Sequence, residues 1–219
     1  MKRGLFVSFE GVDGSGKTTQ LERLAARLRD AGVEPVVAQE PGGTRIGLEI
    51  RRLLLDAASS DLDSRAELLL YFASRAQNIA EVIAPALAAG RVVLADRFTD
   101  ATVAYQGYGR ELGAAAVRAV EQVACQGLRP DVTLWLDLDP EESVRRALAR
   151  RASGPDETRM EREGKLFRRR VAEGYETLAR AEPERIRRVP AGGSPDEVER
   201  AVTAAVRPLL AERLNVQIA

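Results

Sequence analysis

The chain contains no histidine. A histidine general base, nucleophile or metal ligand is therefore excluded from whatever chemistry it performs. Its single cysteine, Cys125, rules out an internal disulfide and fits a reducing compartment, where it reads as a small buried residue. Lysine is scarce, at three of the 33 basic residues, with arginine supplying the rest. Acidic residues also number 33, so no basic excess directs the chain to nucleic acid. No apolar run approaches the roughly 20 residues needed to span a bilayer. The run after Lys2 and Arg3 stops at Glu10, too soon for a secretion signal, so a cytoplasmic protein away from membranes is expected. What is left, 45% hydrophobic and 30% charged among 219 residues, fits one globular domain over 1–219.

One of the three lysines lies in Gly11-Val12-Asp13-Gly14-Ser15-Gly16-Lys17-Thr18, a complete phosphate-binding loop of the form GxxxxGK[ST], with Thr19 following it. The apolar run Leu5–Phe9 precedes it, and Leu21, Leu24 and Leu28 follow at helical spacing. This is the strand–loop–helix setting the motif requires. Glycines let successive N–H groups turn toward an anion, and the helix N-terminus adds its positive dipole end. Lys17 reaches the β- and γ-phosphates of a nucleoside triphosphate, and the Thr18 hydroxyl is a ligand for Mg²⁺.

Short apolar segments at 5–9, 35–38, 92–95, 132–138 and 186–189 alternate with helical patterns near 17–31, 45–57, 65–89, 114–126, 140–151, 159–181 and 195–213. Alternation of this kind predicts an α/β fold, a five-stranded parallel sheet flanked by helices. Ligands of such sheets bind beyond the carboxyl ends of the strands. The small, polar stretch 151–158 reads as a mobile surface loop between two arginine-rich helices.

The residues just after each strand are therefore the ones to inspect. After the second strand come Glu40 and Pro41, the proline holding Glu40 extended, then two glycines that permit a tight turn. After the third come Asp96 and Arg97. An aspartate behind four apolar residues is the usual carboxylate partner of a phosphate loop, bound to Mg²⁺ directly or through water, and Arg97 is placed to hold a second phosphate. Asp137, at the end of the fourth strand, is a competing carboxylate that no arginine follows.

GVDGSGKTTQ, EPGGT, ADRF and AYQG, in this order and at these separations, resemble bacterial thymidylate kinase, a nucleoside-monophosphate kinase family with a P-loop fold. The resemblance covers essentially the whole chain. It implies phosphoryl transfer from Mg·ATP to dTMP, giving dTDP and ADP. It also implies that Asp13 bonds the thymidylate 3′-hydroxyl, that Arg97 and Arg51 bind the acceptor phosphate, and that Arg75 reads the thymine edge. The stacking ring of the family falls on Tyr71, with Phe72 beside it. Thr102 and Gln106 match positions that contact or close over the base, and Tyr105 the ring near the sugar 2′ carbon. Gly14 stands where some members carry an arginine. In the family, enzymes lacking that arginine supply the charge from a mobile lid, here the loop at 151–158, which makes Arg150, Arg151 and Arg159 the candidates. A homodimer packed through long helices such as 65–89 is the family's arrangement.

Tyr71 and Arg75 are four residues apart, so a helix presents both on one face. That pattern serves a base site, and equally a core ring beside a buried salt-bridge arginine. Two rival functions stay in view: a kinase of this fold for another nucleotide, and a nucleotide-switched regulatory protein. The absence of an NKxD guanine motif weighs against the switch.

Overall fold

The computed structural model describes residues 3–151 and 159–218, with the side chains of 147, 148, 150, 151, 161 and 162 left aside. Five strands, β1 (Phe6–Glu10), β2 (Val36–Gln39), β3 (Val93–Asp96), β4 (Val132–Asp137) and β5 (Ile186–Pro190), form one sheet in the order β2-β3-β1-β4-β5. All neighbours are parallel. Every residue of β1 is buried, Ser8 and Glu10 included, because the strand is central in the sheet and covered on both faces. The register pairs Phe9 with Asp96 across β1 and β3, which sets the loop after β1 beside the carboxylate ending β3.

Helices α1 (Lys17–Asp30), α2 (Arg45–Leu55) and α3 (Ser64–Asn78) begin where the sequence pattern places them. The expected single helix over 65–89 is instead three pieces. After α3 comes a π-helical turn, Ile79–Ile83, and then α4 (Ala84–Ala88). Pro85 is the cause: it donates no N–H, and its ring would press on the carbonyl of Glu81. The wider turn relieves that clash, and the Ala84 N–H reaches back to Ile79 O.

A second departure lies between β3 and α6 (Ala114–Cys125). No helix is expected there, yet α5 (Thr99–Thr102) runs into a π-helical turn, Val103–Gly109. Threonine, valine and glycine are weak helix formers, and packing supplies what propensity does not. The turn lies along α8 (Lys165–Ala181), where Gly174 permits the approach: a Cβ there would meet Ala104 Cα and the Tyr108 ring at 3.0 Å. The helix expected over 159–181 also breaks into a 3₁₀ turn, Arg159–Arg162, and α8, with Gly164 at the α8 N-cap. Helices α7 (Pro140–Arg151) and α9 (Pro195–Leu214) complete the chain. The core joins Leu5, Phe6 and Phe9 of the first strand region to Leu24 and Leu28 of α1 and Val202 and Val206 of α9.

Candidate active site

Because all five strands point the same way, the loops after β1, β2 and β3 open on one end of the sheet. There they border a cleft of about 520 Å³. Gly11, Gly14 and Gly16 of the phosphate loop have φ of 134°, 78° and 87°, values that favour glycine. A Cβ on Gly11 would also come within 2.5 Å of Leu136 O, so β4 presses directly on the loop. Lys17 is 7% exposed and its Nζ donates to Val12 O at 2.8 Å. Burial and the nearby Arg97 guanidinium lower its pKa to about 8, against the opposing pull of Asp13, Asp96 and Glu10. Thr18 Oγ1 donates to Asp96 Oδ2 at 2.9 Å, a contact that the Phe9–Asp96 register makes possible.

Arg97 has φ of 73°, a left-handed backbone that a long side chain adopts only when its surroundings impose it. The surroundings are identifiable. Its own N–H donates to Phe9 O at 3.0 Å, and the next N–H, of Phe98, donates to the buried Glu10 carboxylate at 2.7 Å. The guanidinium then reaches back over the phosphate loop. It donates to Gly11 O at 2.9 Å and Asp13 Oδ1 at 2.7 Å, and lies 4.9 Å from the Tyr105 ring centroid. Tyr175 Oη, 3.4 Å from Arg97, donates to Glu10 at 3.0 Å. Burial, reinforced by the negative charge of Asp100, pushes the Glu10 carboxyl up to about 7.

Arg75 is 1% exposed. Its Nε pairs with Glu40, Nη1 donates to Thr102 Oγ1 at 2.9 Å and Nη2 to Phe98 O at 3.0 Å. Phe72 and Phe98 flank the guanidinium with ring centroids 4.9 and 5.3 Å away. Arg75 is thus a buried ion-pair partner, and it also borders the cleft. Burial raises the Glu40 pKa in spite of Arg75. Tyr71 borders the cleft, and burial pushes its hydroxyl up to about 12. Phe72 does not share that wall. It is 2% exposed, because one step along a helix turns a side chain by about 100°.

Arg51, Pro41, Thr102, Tyr105 and Gln106 all line the same cleft, as do Gly14, Gly16 and Thr19 of the phosphate loop. Arg51 Nη1 donates to Pro41 O at 2.7 Å. Gln39, Leu55 and Met160, not among the candidates above, also border it. Asp137 lies elsewhere, paired with Arg188 at 2.5 Å. Arg159, one of three candidates for a catalytic lid charge, is not at the phosphate loop. It is 6% exposed, donating to Leu54 O at 3.2 Å and to Glu67 at 2.5 Å. A buried carboxylate holds it there. The loop 152–158 and the side chains of Arg150 and Arg151 lie outside the described residues.

Glu10, Glu67 and Tyr175 are site-supporting residues that the sequence reading did not single out. For Glu67 a signal existed: it precedes Tyr71 by four positions and Arg75 by eight, so the acid sits on the same helical stripe as the two candidates. No cluster of three His, Cys, Asp or Glu able to hold a metal occurs among the described residues. The Thr18–Asp96 pair suits Mg²⁺ better than a full protein cage would, since Mg²⁺ commonly takes one or two protein oxygens and completes its shell with phosphates and water.

The thymidylate kinase family model matches residues 9–202. The chain is 48% identical over 214 residues to the thymidylate kinase of Pelobacter propionicus, covering 97% of this chain and 96% of the relative. It is 49% identical over 209 residues to that of Solidesulfovibrio magneticus, covering 94% and 100%. The crystal structure of thymidylate kinase from Ehrlichia chaffeensis superposes with a TM-score of 0.74 at 30% identity, covering 93% of this chain and 98% of that one.

Proposed function

The chain belongs to the thymidylate kinase family, and from that premise we propose how its cleft carries out the family's reaction, transfer of the γ-phosphoryl group of ATP to dTMP. The observation that carries the assignment of residues is the single cleft, which holds the phosphate loop on one side and Tyr71, Arg75, Thr102 and Gln106 on the other. Donor and acceptor nucleotides can then meet phosphate to phosphate without water between them.

The acceptor is a phosphate monoester, anionic near neutral pH, so it needs no strong base. That agrees with a chain free of histidine. Catalysis is alignment and charge stabilisation. Lys17 leaves Val12 O for the β- and γ-phosphates. Arg97 keeps its grip on the phosphate loop through Gly11 and holds the acceptor phosphate, with Arg51 opposite. Asp13 takes the 3′-hydroxyl, and Tyr71 and Arg75 the base. Thr18 and Asp96 would hold Mg²⁺, which when bound neutralises charge on the phosphates. With Arg159 committed to Glu67, Arg150 and Arg151 are left as the lid arginines implied by the family. The chain acts as one P-loop kinase domain over 1–219 with the lid at 151–158.

Two copies associate through α3 and α6, which pack side by side and turn Leu69 (57% exposed) and Val123 (78% exposed) outward. Light scattering giving twice the 23.8 kDa chain mass is expected, and a monomer rules it out. No helix among the described residues is long and apolar enough to cross a membrane. A cytoplasmic enzyme without a nucleic-acid partner fits the free, buried Cys125 and the balanced charge.

The deciding assay measures ADP formation from Mg·ATP with a panel of nucleoside monophosphates. Stimulation by dTMP well above dCMP, dGMP and AMP is expected. A turnover indifferent to every acceptor would identify a nucleotide switch instead. A second prediction follows from Lys17. Its amine is charged below about pH 8 in the free protein, and bound phosphates favour the charged form. Affinity for ATP should hold near pH 7 and weaken by up to about tenfold per unit above pH 8. Titrations near pH 7 and pH 9 check this, with Lys17→Met as the variant whose weak binding should show no such slope.

A further inference from the structure

Glu67 has no exposed surface, yet no part of the phosphoryl-transfer scheme uses it. Its Oε1 accepts from Gln106 Nε2 at 2.7 Å and Arg110 Nε at 3.2 Å, and its Oε2 from Arg110 Nη2 at 3.1 Å and Arg159 Nη2 at 2.5 Å. Arg110 is shared with Glu163, at 2.5 Å. Burial alone would raise the carboxyl pKa, but donors from Arg110, Gln106 and Arg159 hold it below the ordinary range. At neutral pH Glu67 is an anion that can only accept hydrogen bonds.

That one-sidedness fixes its neighbour. A glutamine amide has a donor end and an acceptor end, and the wrong end facing a carboxylate sets two oxygens against each other. Gln106 is 1% exposed and borders the cleft. With its NH₂ group on Glu67, the end left for the cleft is the carbonyl Oε1. Thr102 precedes it by four positions in the same run of helical turns and borders the same cleft. Its Oγ1 already accepts from Arg75, so its own proton remains to be donated. The wall thus offers a hydroxyl donor beside an amide acceptor.

We infer that Glu67 is a positioning residue for acceptor selection: it pins the Gln106 amide so that the cleft meets a carbonyl oxygen, which suits a base carrying an imide N–H and repels one presenting a ring-nitrogen lone pair. Thymine and uracil are of the first kind, cytosine of the second. The inference rests on the reading of the cleft as a nucleoside monophosphate site. Arg110 and Arg159 keep the carboxylate charged, and Arg159 at the same time ties the short turn carrying Met160 to the end of α2.

The test compares dissociation constants for dTMP and dCMP by calorimetry, with KM for ATP as a second readout. Glu67→Gln, which can itself donate, should weaken dTMP and shrink the dTMP:dCMP preference by about 3–10-fold, the value of one hydrogen bond. KM for ATP should not change. A role confined to stability would lower the melting temperature and leave the preference intact. Gln106→Leu should shrink the preference by a similar factor, and the double variant should fall no further than Gln106→Leu alone, because both act through one carbonyl. A folded Glu67→Gln protein with the wild-type preference overturns the inference. If that variant does not fold, a wild-type preference in Gln106→Leu overturns it equally. Failure of the functional reading is a separate outcome: there the wild-type chain itself gives no dTMP-dependent ADP.

Discussion

Arg97→Ala is expected to lower kcat for dTMP phosphorylation by about 10³-fold or more while leaving ATP affinity within a few-fold of wild type. The scale is that of losing a cation which stabilises charge as it develops on a transferring phosphoryl group. The split between kcat and ATP affinity comes from where Arg97 lies. Its guanidinium reaches the phosphate loop through Gly11 O and Asp13, whereas Lys17 and Thr18 belong to the loop itself and are the residues proposed to meet the ATP phosphates. The backbone needs a control of its own, because alanine keeps the strain of φ 73° that arginine bears there. Arg97→Gly removes the same guanidinium without that strain. Equal losses of kcat in the two variants assign the effect to the side chain. A kcat within tenfold of wild type in both would remove Arg97 from the reaction.

Arg75→Met is expected to destabilise the fold by about 3–5 kcal/mol, since it leaves the buried Glu40 without its counter-charge. In a chain of this length that corresponds to a fall in melting temperature on the order of 10 °C. Three interactions go at once: the ion pair, the bond to Thr102 and the bond to Phe98 O. Glu40 is 4% exposed, and burial already raises its pKa with Arg75 present. Without the arginine it must take up a proton in order to stay buried. The work of protonation falls as pH falls toward the ordinary carboxylate range, so the deficit should be smaller in mild acid than at neutral pH. Glu40→Leu combined with Arg75→Met should recover much of the stability, because an apolar pair carries no desolvation cost. Such a protein would fold and still fail to bind dTMP. Urea unfolding at two pH values and dTMP titration measure both halves. A single variant as stable as wild type would mean that the ion pair contributes nothing.

The parts of the site legible in the sequence were those in which a local pattern enforces a local geometry. The loop Gly11–Thr18 is one, since its glycines occur where φ is positive and its lysine begins a helix. Asp96 is another: a strand must end somewhere, and in a parallel sheet its carboxyl end faces the ligand. The helix interrupted near Pro85 and the unforeseen α5 show where local pattern misleads. A proline's effect spreads over the preceding turn as a π-helical widening, and a run rich in threonine, valine and glycine becomes helical when α8 packs against it. The division between Tyr71 and Phe72 could not be read from two adjacent rings. Only the docking of α3 decides which of them faces Arg75's buried side and which the cleft.

A phosphate-binding loop, a parallel five-stranded sheet and a carboxylate ending β3 were legible in the sequence because each follows from residue type and spacing over a few positions, and the family was legible from four motifs in order along the chain. Tertiary structure decided the partners of the arginines. Thirty of the 33 basic residues are arginine, and any of them could have been catalytic, structural or solvated. Arg97 lies on the phosphate loop because the β1–β3 register and Glu10 hold its backbone there, and Arg75 of α3 is buried against Glu40, which arrives from the loop after β2. Arg159 is buried away from the phosphate loop because Glu67 lies under it. A charged side chain's role depends on which opposite charge shares its low-dielectric surroundings, and those charges come from elements 35 to 92 residues away in the chain.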